Sequence, residues 1–252
     1  DWDITSGGLF EQLDADTERK LNPMSFEQKF PEIMRNGGFD AIIGNPPYVR
    51  QEQLGDLKSY LKTKYQVFHG VADLYTYFIE RYFQILHPDG IFGVIVANGW
   101  MRANFGGPLR SYLKGKDIVE IIDFGDLEVF KGVAAYPCIL RVKHTVADQT
   151  FNAVNAKTLD FGEDGLPGYV AANSFEVNQL MLEDSGWTLT AEANQKLLSK
   201  LRTIGTPLGK YVNGDINLGI KTGLNEAFVI NEETKRRLIA EDARSAELIR
   251  PF

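Results

Sequence analysis

The run Phe39-Asp40-Ala41-Ile42-Ile43-Gly44-Asn45-Pro46-Pro47-Tyr48 constrains the fold more than any other stretch of the chain. Its opening residues are apolar, rich in isoleucine and too few for a helix, so they predict a strand buried on both faces, the kind that parallel sheets contain. Pro46 and Pro47 then stop it. Each lacks a backbone donor and pushes the residue before it toward an extended conformation. Asn45 and Tyr48 are therefore expected on a stiff hook at the strand's carboxyl end, the edge at which open α/β sheets bind ligands.

Such a hook suits methylation of a planar amino nitrogen. An exocyclic amine such as adenine N6 is a weak nucleophile because its lone pair is delocalised into the ring. Two acceptors, one for each N–H, draw the nitrogen toward tetrahedral geometry and free the lone pair for in-line attack on a sulfonium methyl. The side-chain oxygen of Asn45 and the main-chain carbonyl of Pro46 can serve, since proline keeps its acceptor. Tyr48 offers an aromatic face to a base, a contact worth roughly 1–3 kcal/mol. The alternative is a proline turn that closes a core strand and has no chemistry.

Asn45-Pro46-Pro47-Tyr48, preceded by Phe26-Glu27-Gln28-Lys29-Phe30-Pro31-Glu32 and Gly37-Gly38-Phe39-Asp40, resembles the adenine-N6 DNA methyltransferases, especially the methylase part of type IIG restriction-modification enzymes. Related Asn-Pro-Pro-Tyr sites occur in methylases of protein glutamine amides and ribosomal RNA bases. Cytosine-N4 methylases usually carry serine in the first position, so Asn45 points to adenine. The resemblance implies a Rossmann-like class I α/β methyltransferase sheet, S-adenosylmethionine as methyl donor and double-stranded DNA as partner. It assigns Asn45, Pro46, Pro47 and Tyr48 to catalysis, with Asn45 and Pro47 also touching the cofactor.

Further along, Asp73 opens a helix in which Leu74, Tyr75, Phe78, Ile79, Tyr82, Phe83 and Leu86 recur at helical spacing, and His87-Pro88-Asp89-Gly90 stops it. Ile91 to Ala97 reads as a second buried strand, followed by a loop at Asn98-Gly99-Trp100-Met101-Arg102. A helix near Leu109 to Leu113 leads to a third strand, Ile118 to Asp123. Strand, helix and strand in this order imply parallel right-handed crossovers, so the three strands should end on one edge. A last strand, Cys138 to Lys143, is expected to close the set antiparallel to its predecessor.

The resemblance follows the same order. Phe78 falls where the family packs an aromatic on the cofactor's adenine, although it also fits the core stripe of its own helix. Phe130, ending Phe124-Gly125-Asp126-Leu127-Glu128-Val129-Phe130, matches the aromatic that stacks on the extruded base opposite Tyr48, an arrangement that requires base flipping. Arg50 lies close enough to Tyr48 to reach a phosphate. Ala97 departs from the family, which often has proline there. From Thr150 the character changes, and Ile216 to Ile230 resembles the entry to a target-recognition region, with Lys221 and Thr222 as phosphate contacts. Residues 1–149 are thus expected to form the C-terminal half of a catalytic domain, and 150–252 a linker and the start of an α+β recognition domain.

Methylases of this order carry a Gly-rich cofactor loop and an acidic residue for the ribose ahead of the Asn-Pro-Pro-Tyr strand, and neither fits within residues 1–38. The chain is expected to be a piece that is inactive alone and covers or self-pairs an exposed sheet edge. A catalytically silent recognition module is the alternative from another class. The net charge of −7 is unusual for a duplex binder and argues against non-specific coating of nucleic acid. Nothing approaches a transmembrane run, no signal peptide opens the chain, and a cytoplasmic setting is expected. Cys138 reads as a core thiol. The three histidines are scattered, so no metal site is expected. Glu18-Arg19-Lys20 and Glu27-Gln28-Lys29 lack the Pro-Asp partner of a nuclease signature and read as solvated charge.

Overall fold

The computed structural model describes residues 25–55, 57–132, 136–214 and 229–250. Two short helical turns, Phe26–Lys29 and Pro31–Arg35, lead into strand β1, Phe39–Gly44. Helices α1 (Leu57–Lys64) and α2 (Tyr75–Ile85) precede β2 (Leu86–Ala97). Helix α3 (Gly107–Lys114) then leads to β3 (Lys116–Asp123), β4 (Pro137–Val146) and β5 (Thr150–Asn155). Helix α4 (Gly165–Asn173), β6 (Phe175–Asn178) and α5 (Glu192–Ile204) follow, and α6 spans Glu232–Glu241.

The strands form one six-stranded sheet in the order β1-β2-β4-β3-β5-β6. β1 runs parallel to β2, β3 parallel to β5, and β4 antiparallel to both of its neighbours. β1, β2 and β3 therefore point the same way, as the strand-helix-strand repetition predicts. β4 differs from expectation in its place: it inserts between β2 and β3 instead of closing the set. Its alternate residues Cys138, Leu140 and Val142 are buried, and a strand with an apolar face this continuous gains by filling a gap between two others.

Two further expectations are corrected. The helix does end just ahead of His87-Pro88-Asp89-Gly90, at Ile85, but the strand does not wait for Ile91: the four residues lie inside β2, where pairing with β1 jumps from Phe39–Leu86 to Ala41–Ile91. Asp89 takes a φ of 68°, so the four residues form an irregularity that lets the strand begin directly after α2. β1 is not buried on both faces either. It is the sheet's edge, and Ile43 is 94 % exposed. The apolar run forms the expected strand, but among the described residues no neighbour covers its outer side.

One face of the sheet holds the main core. Phe92, Val94 and Val96 of β2 pack with Leu140 and Val142 of β4, Ile118 and Ile121 of β3, Tyr75, Ile79 and Phe83 of α2, and Leu109 and Leu113 of α3. Among the described residues, the opposite face is covered only toward β3 and β5. There Ile122, Phe124, Val154 and Ala156 are buried, with Leu166, Tyr169 and Val170 of α4 against them. Toward β1 and β2 that face is an apolar trough of about 440 Å³, lined by residues that include Ala41, Ile43, Gly93, Ile95, Ile139 and Arg141.

The sheet runs on past residue 149, where the sequence changes character, through β5 and β6. The chain divides into two compact units, Asp1–Ser199 and Lys200–Phe252. Within the second, Asn231 caps α6, its side chain accepting from the Thr234 N–H at 2.8 Å.

Candidate active site

The carboxyl ends of β1, β2 and β3 meet at one cleft of about 560 Å³, lined by Asn45, Tyr48, Arg50, Asp73, Tyr75, Ala97, Asn98, Gly99, Phe105, Phe130 and Tyr136. Asn45, Tyr48 and Arg50 come from the segment after β1, Asn98 and Gly99 from the loop after β2, and Phe130 from the loop after β3. Of the residues singled out in the sequence, the cleft gathers Asn45, Tyr48, Arg50 and Phe130. Pro46 is buried and Pro47 exposed beside it. Lys221 and Thr222 lie outside the described residues.

Tyr48 is held from both sides. Its hydroxyl donates to the Ile95 carbonyl at 3.1 Å, and its ring lies 6.1 Å from that of Tyr75, centroid to centroid. Burial, helped by the neighbouring Cys138, pushes its phenol up to about 12, so the hydroxyl stays a donor at any ordinary pH. Cys138 itself is fully buried and its thiol is likewise raised to about 12, which fits the core role expected of it. The chain after Tyr48 is pinned to the start of α2: Leu74 N–H donates to the Val49 carbonyl at 3.0 Å, and Gln51 N–H to Asp73 Oδ1 at 3.2 Å. Burial raises the Asp73 carboxyl above its ordinary range.

The loop after β2 is fixed by Arg110 of α3. This guanidinium is buried, and it donates to the carbonyls of Trp100 at 2.5 Å, Ala103 at 2.9 Å and Asp184 at 2.6 Å. Trp100 packs edge-on against Trp187, with ring centroids 5.3 Å apart. Gly106 is required here, because a Cβ at that position would come within 1.9 Å of the Trp100 carbonyl oxygen. The Phe130 loop is tightened by its own turns, Leu127 N–H to Phe124 O at 3.0 Å and Gly132 N–H to Glu128 at 2.9 Å.

Phe78 does not line this cleft. It sits half-buried on α2 with its ring edge-on to Tyr82 at 6.3 Å. Tyr82 in turn presses on the end of β1 so closely that a Cβ on Gly44 would meet its hydroxyl at 2.7 Å. The aromatic pair thus sits against the end of β1, outside the cleft that Asn45 and Phe130 both line. Asp73, Tyr75, Asn98, Phe105 and Tyr136 line the cleft without having been singled out. Asn98 had a signal: it is the first residue after the second strand, on the edge where ligands sit.

A mixed sheet with helices, and a cleft at the carboxyl ends of its parallel strands, define the α/β class I methyltransferase fold. The matching family model, Eco57I restriction-modification methylase, covers residues 4–130, and the chain belongs to that family. Its members are methyltransferases that use S-adenosylmethionine. The chain is 30 % identical over 204 residues to the type II methyltransferase M.PaeR7I of Pseudomonas aeruginosa, covering 77 % of this chain and 35 % of that protein. It is 29 % identical over 210 residues to the type II restriction enzyme and methyltransferase RM.Eco57I of Escherichia coli, covering 80 % of this chain and 20 % of that one. The crystal structure of the type IIG restriction endonuclease BpuSI shares the fold, with a TM-score of 0.50 at 14 % identity over 82 % of this chain and 28 % of that chain. The chain therefore spans about a third and a fifth of the length of the two curated relatives.

Phe78 and Tyr82 offer aromatic surface beside the free edge of β1, but the segments described before that strand are two short helical turns, which contain no Gly-rich strand-to-helix loop. A sulfonium amino acid has no main-chain cradle among them.

Proposed function

We propose that this chain carries the target side of a DNA adenine-N6 methyltransferase of the type IIG kind, part of a restriction-modification or other phage-defence system. The observation that carries the reading is convergence: Asn45 and Tyr48 from the segment after β1 and Phe130 from the loop after β3 line a single cleft. Asn45 Oδ1 and the Pro46 carbonyl accept from the two N–H groups of the target amine, which localises its lone pair. Tyr48 and Phe130 sandwich the ring, and a base reaches that sandwich only after leaving the duplex. S-adenosylmethionine supplies the methyl group, and Asn45, Pro47 and Phe78 are the residues of this chain that would touch it. Arg50 at the cleft mouth, with Lys221 and Thr222, contacts DNA phosphates. Target recognition belongs to the part of 150–252 beyond the sheet, and the setting is the cytoplasm, where duplex DNA is available. The names of the two curated relatives support DNA methylation, and Asn rather than Ser at position 45 supports adenine.

The isolated chain is expected to be inactive, because the cofactor would meet one wall only. Its open edge at β1 is expected to self-pair or to be covered by residues 1–38. Isothermal titration of the purified chain with S-adenosylmethionine, beside a labelled-methyl assay on mixed-sequence DNA, tests this; micromolar binding or sequence-specific transfer overturns it. For the whole protein, methylation mapping of DNA from cells expressing the full-length gene decides the substrate. N6-methyladenine at a defined motif is the expected result. Its absence, with methyl groups found on RNA or on a protein amide, overturns the reading, and so does absence of methyl transfer altogether.

A further inference from the structure

Asp123 ends β3 with its carboxylate buried, 4 % exposed, beside the cleft. Its Oδ1 accepts from Asn98 Nδ2 at 2.8 Å and from the Gly125 N–H at 2.9 Å. Its Oδ2 faces the Arg102 guanidinium at 3.7 Å. One oxygen thereby ties together two of the loops that line the cleft. Asn98 heads the loop after β2 and lines the cleft itself. Gly125, with a φ of 58°, opens the loop that ends at Phe130.

The contact also fixes which way the Asn98 amide faces. A carboxylate only accepts, so the nitrogen of Asn98 must point at Asp123. Turning the amide over would set two oxygens against each other. The main chain of Asn98 is held as well, its N–H donating to the Tyr136 carbonyl at 2.7 Å. A purely structural strand end is served as well by an apolar pair, because taking a carboxylate out of water costs several kcal/mol before any contact is made. What the polar pair adds is a side-chain amide of single orientation in the wall of a binding cleft.

Resting on the functional reading above, we propose that Asn98 is a further target-binding residue, offering its oriented amide to the extruded base, and that Asp123 is the positioning residue that orients it and seats the Phe130 loop.

The test uses the full-length gene product, with initial rates of labelled-methyl transfer to its own DNA target and the fluorescence of 2-aminopurine placed at the target base. Asp123→Ala should lower kcat/KM by about 10–100-fold, the scale of a misplaced contact. Asn98→Ala should cost about 10-fold, that of one hydrogen bond to substrate. The double variant should be no worse than Asp123→Ala alone, because both substitutions remove the same contact. Asp123→Asn keeps an accepting oxygen and should return most of the rate, with base capture restored. Effects that multiply in the double variant assign Asp123 to stability alone and overturn the proposal, as does a wild-type rate for Asn98→Ala. Should Asp123→Ala fail to fold, judged by circular dichroism and melting, Asn98→Ala and Asp123→Asn decide. Transfer to a base other than adenine overturns the functional reading while leaving the rate comparison intact; a wild type with no transfer overturns both.

Discussion

The two ends of the sheet were built to different degrees. Toward β3 and β5 both faces are covered, one by the main core and the other by α4, so that Ile122 and Val154 are buried. Toward β1 and β2 the described residues cover only one face, and Ile43 on the edge strand is 94 % exposed. Apolar sequence at the two ends is similar, Ile-Ile in β1 and Ile-Ile in β3, yet both residues are buried in β3, whereas in β1 Ile42 packs against the core and Ile43 is exposed. The apolar pattern of a strand states what it could bury; what it does bury depends on which elements the rest of the chain places beside it. The cleft draws on both ends, with Asn45 following the open strand β1 and Phe130 following the enclosed strand β3.

The largest effect should come from the open end. In the full-length protein, Asn45→Ala removes the acceptor that acts on the reacting amine and should lower kcat by about 10²–10³-fold or more, the scale seen when one transition-state partner is lost. DNA affinity should stay near wild type in a mobility-shift assay, since the interaction forms chiefly in the transition state. Next, Ile122→Ala at the enclosed end should destabilise this chain by about 2–4 kcal/mol in chemical denaturation, whereas Ile43→Ala should change it by less than about 0.5 kcal/mol. Equal losses at the two positions would mean that the outer side of β1 is covered in solution. Third, Phe130→Ala in the full-length protein should weaken capture of the flipped base by about 1–3 kcal/mol, read from 2-aminopurine fluorescence, because half of the sandwich is gone. Unchanged flipping and turnover would remove Phe130 from the site.

The smallest effect concerns Tyr48, whose hydroxyl reaches from the hook after β1 to Ile95 of β2. Its phenol is raised from an ordinary 10 to about 12, chiefly by burial. The folded chain therefore holds a proton that the unfolded chain has already released. The stability linked to this group is complete below pH 10 and is lost as pH rises through about 12. In an absorbance titration of tyrosinate, Tyr48→Phe should remove a component that ionises near the upper value and leave the ordinary component near pH 10 unchanged.

How much of this was legible follows from how local each signal is. The hook after β1 was readable because two adjacent prolines fix their own backbone without help from elsewhere. α2 and α3 were readable because their buried residues recur at helical spacing. The place of β4 was not, since its sequence marks it as a strand with a buried face but leaves open which two strands it separates. His87 to Gly90 marked the helix end but not the strand start, because Pro88-Asp89-Gly90 reads as a turn, while here it is absorbed as a strand irregularity beside Phe39 and Asp40. In the cleft, Asn45, Tyr48 and Phe130 belong to recognisable local strings. Asn98 and Asp123 matter through a contact between residues distant in sequence, and neither stands out within its own segment.

Arg110 ties the Trp100 loop to the Asp184 carbonyl, and Trp187 closes over Trp100. This has a consequence for synthesis. A ribosome that has reached β4 has already made every cleft residue, but the arginine's third carbonyl and the second indole have not yet emerged. Until they do, a buried cation lacks part of its solvation, so that wall of the cleft should set only after the chain has been extended past residue 187. A messenger cut short between β4 and that point would yield a protein carrying every cleft-lining residue from Asn45 to Tyr136 with one side of the cleft unfinished.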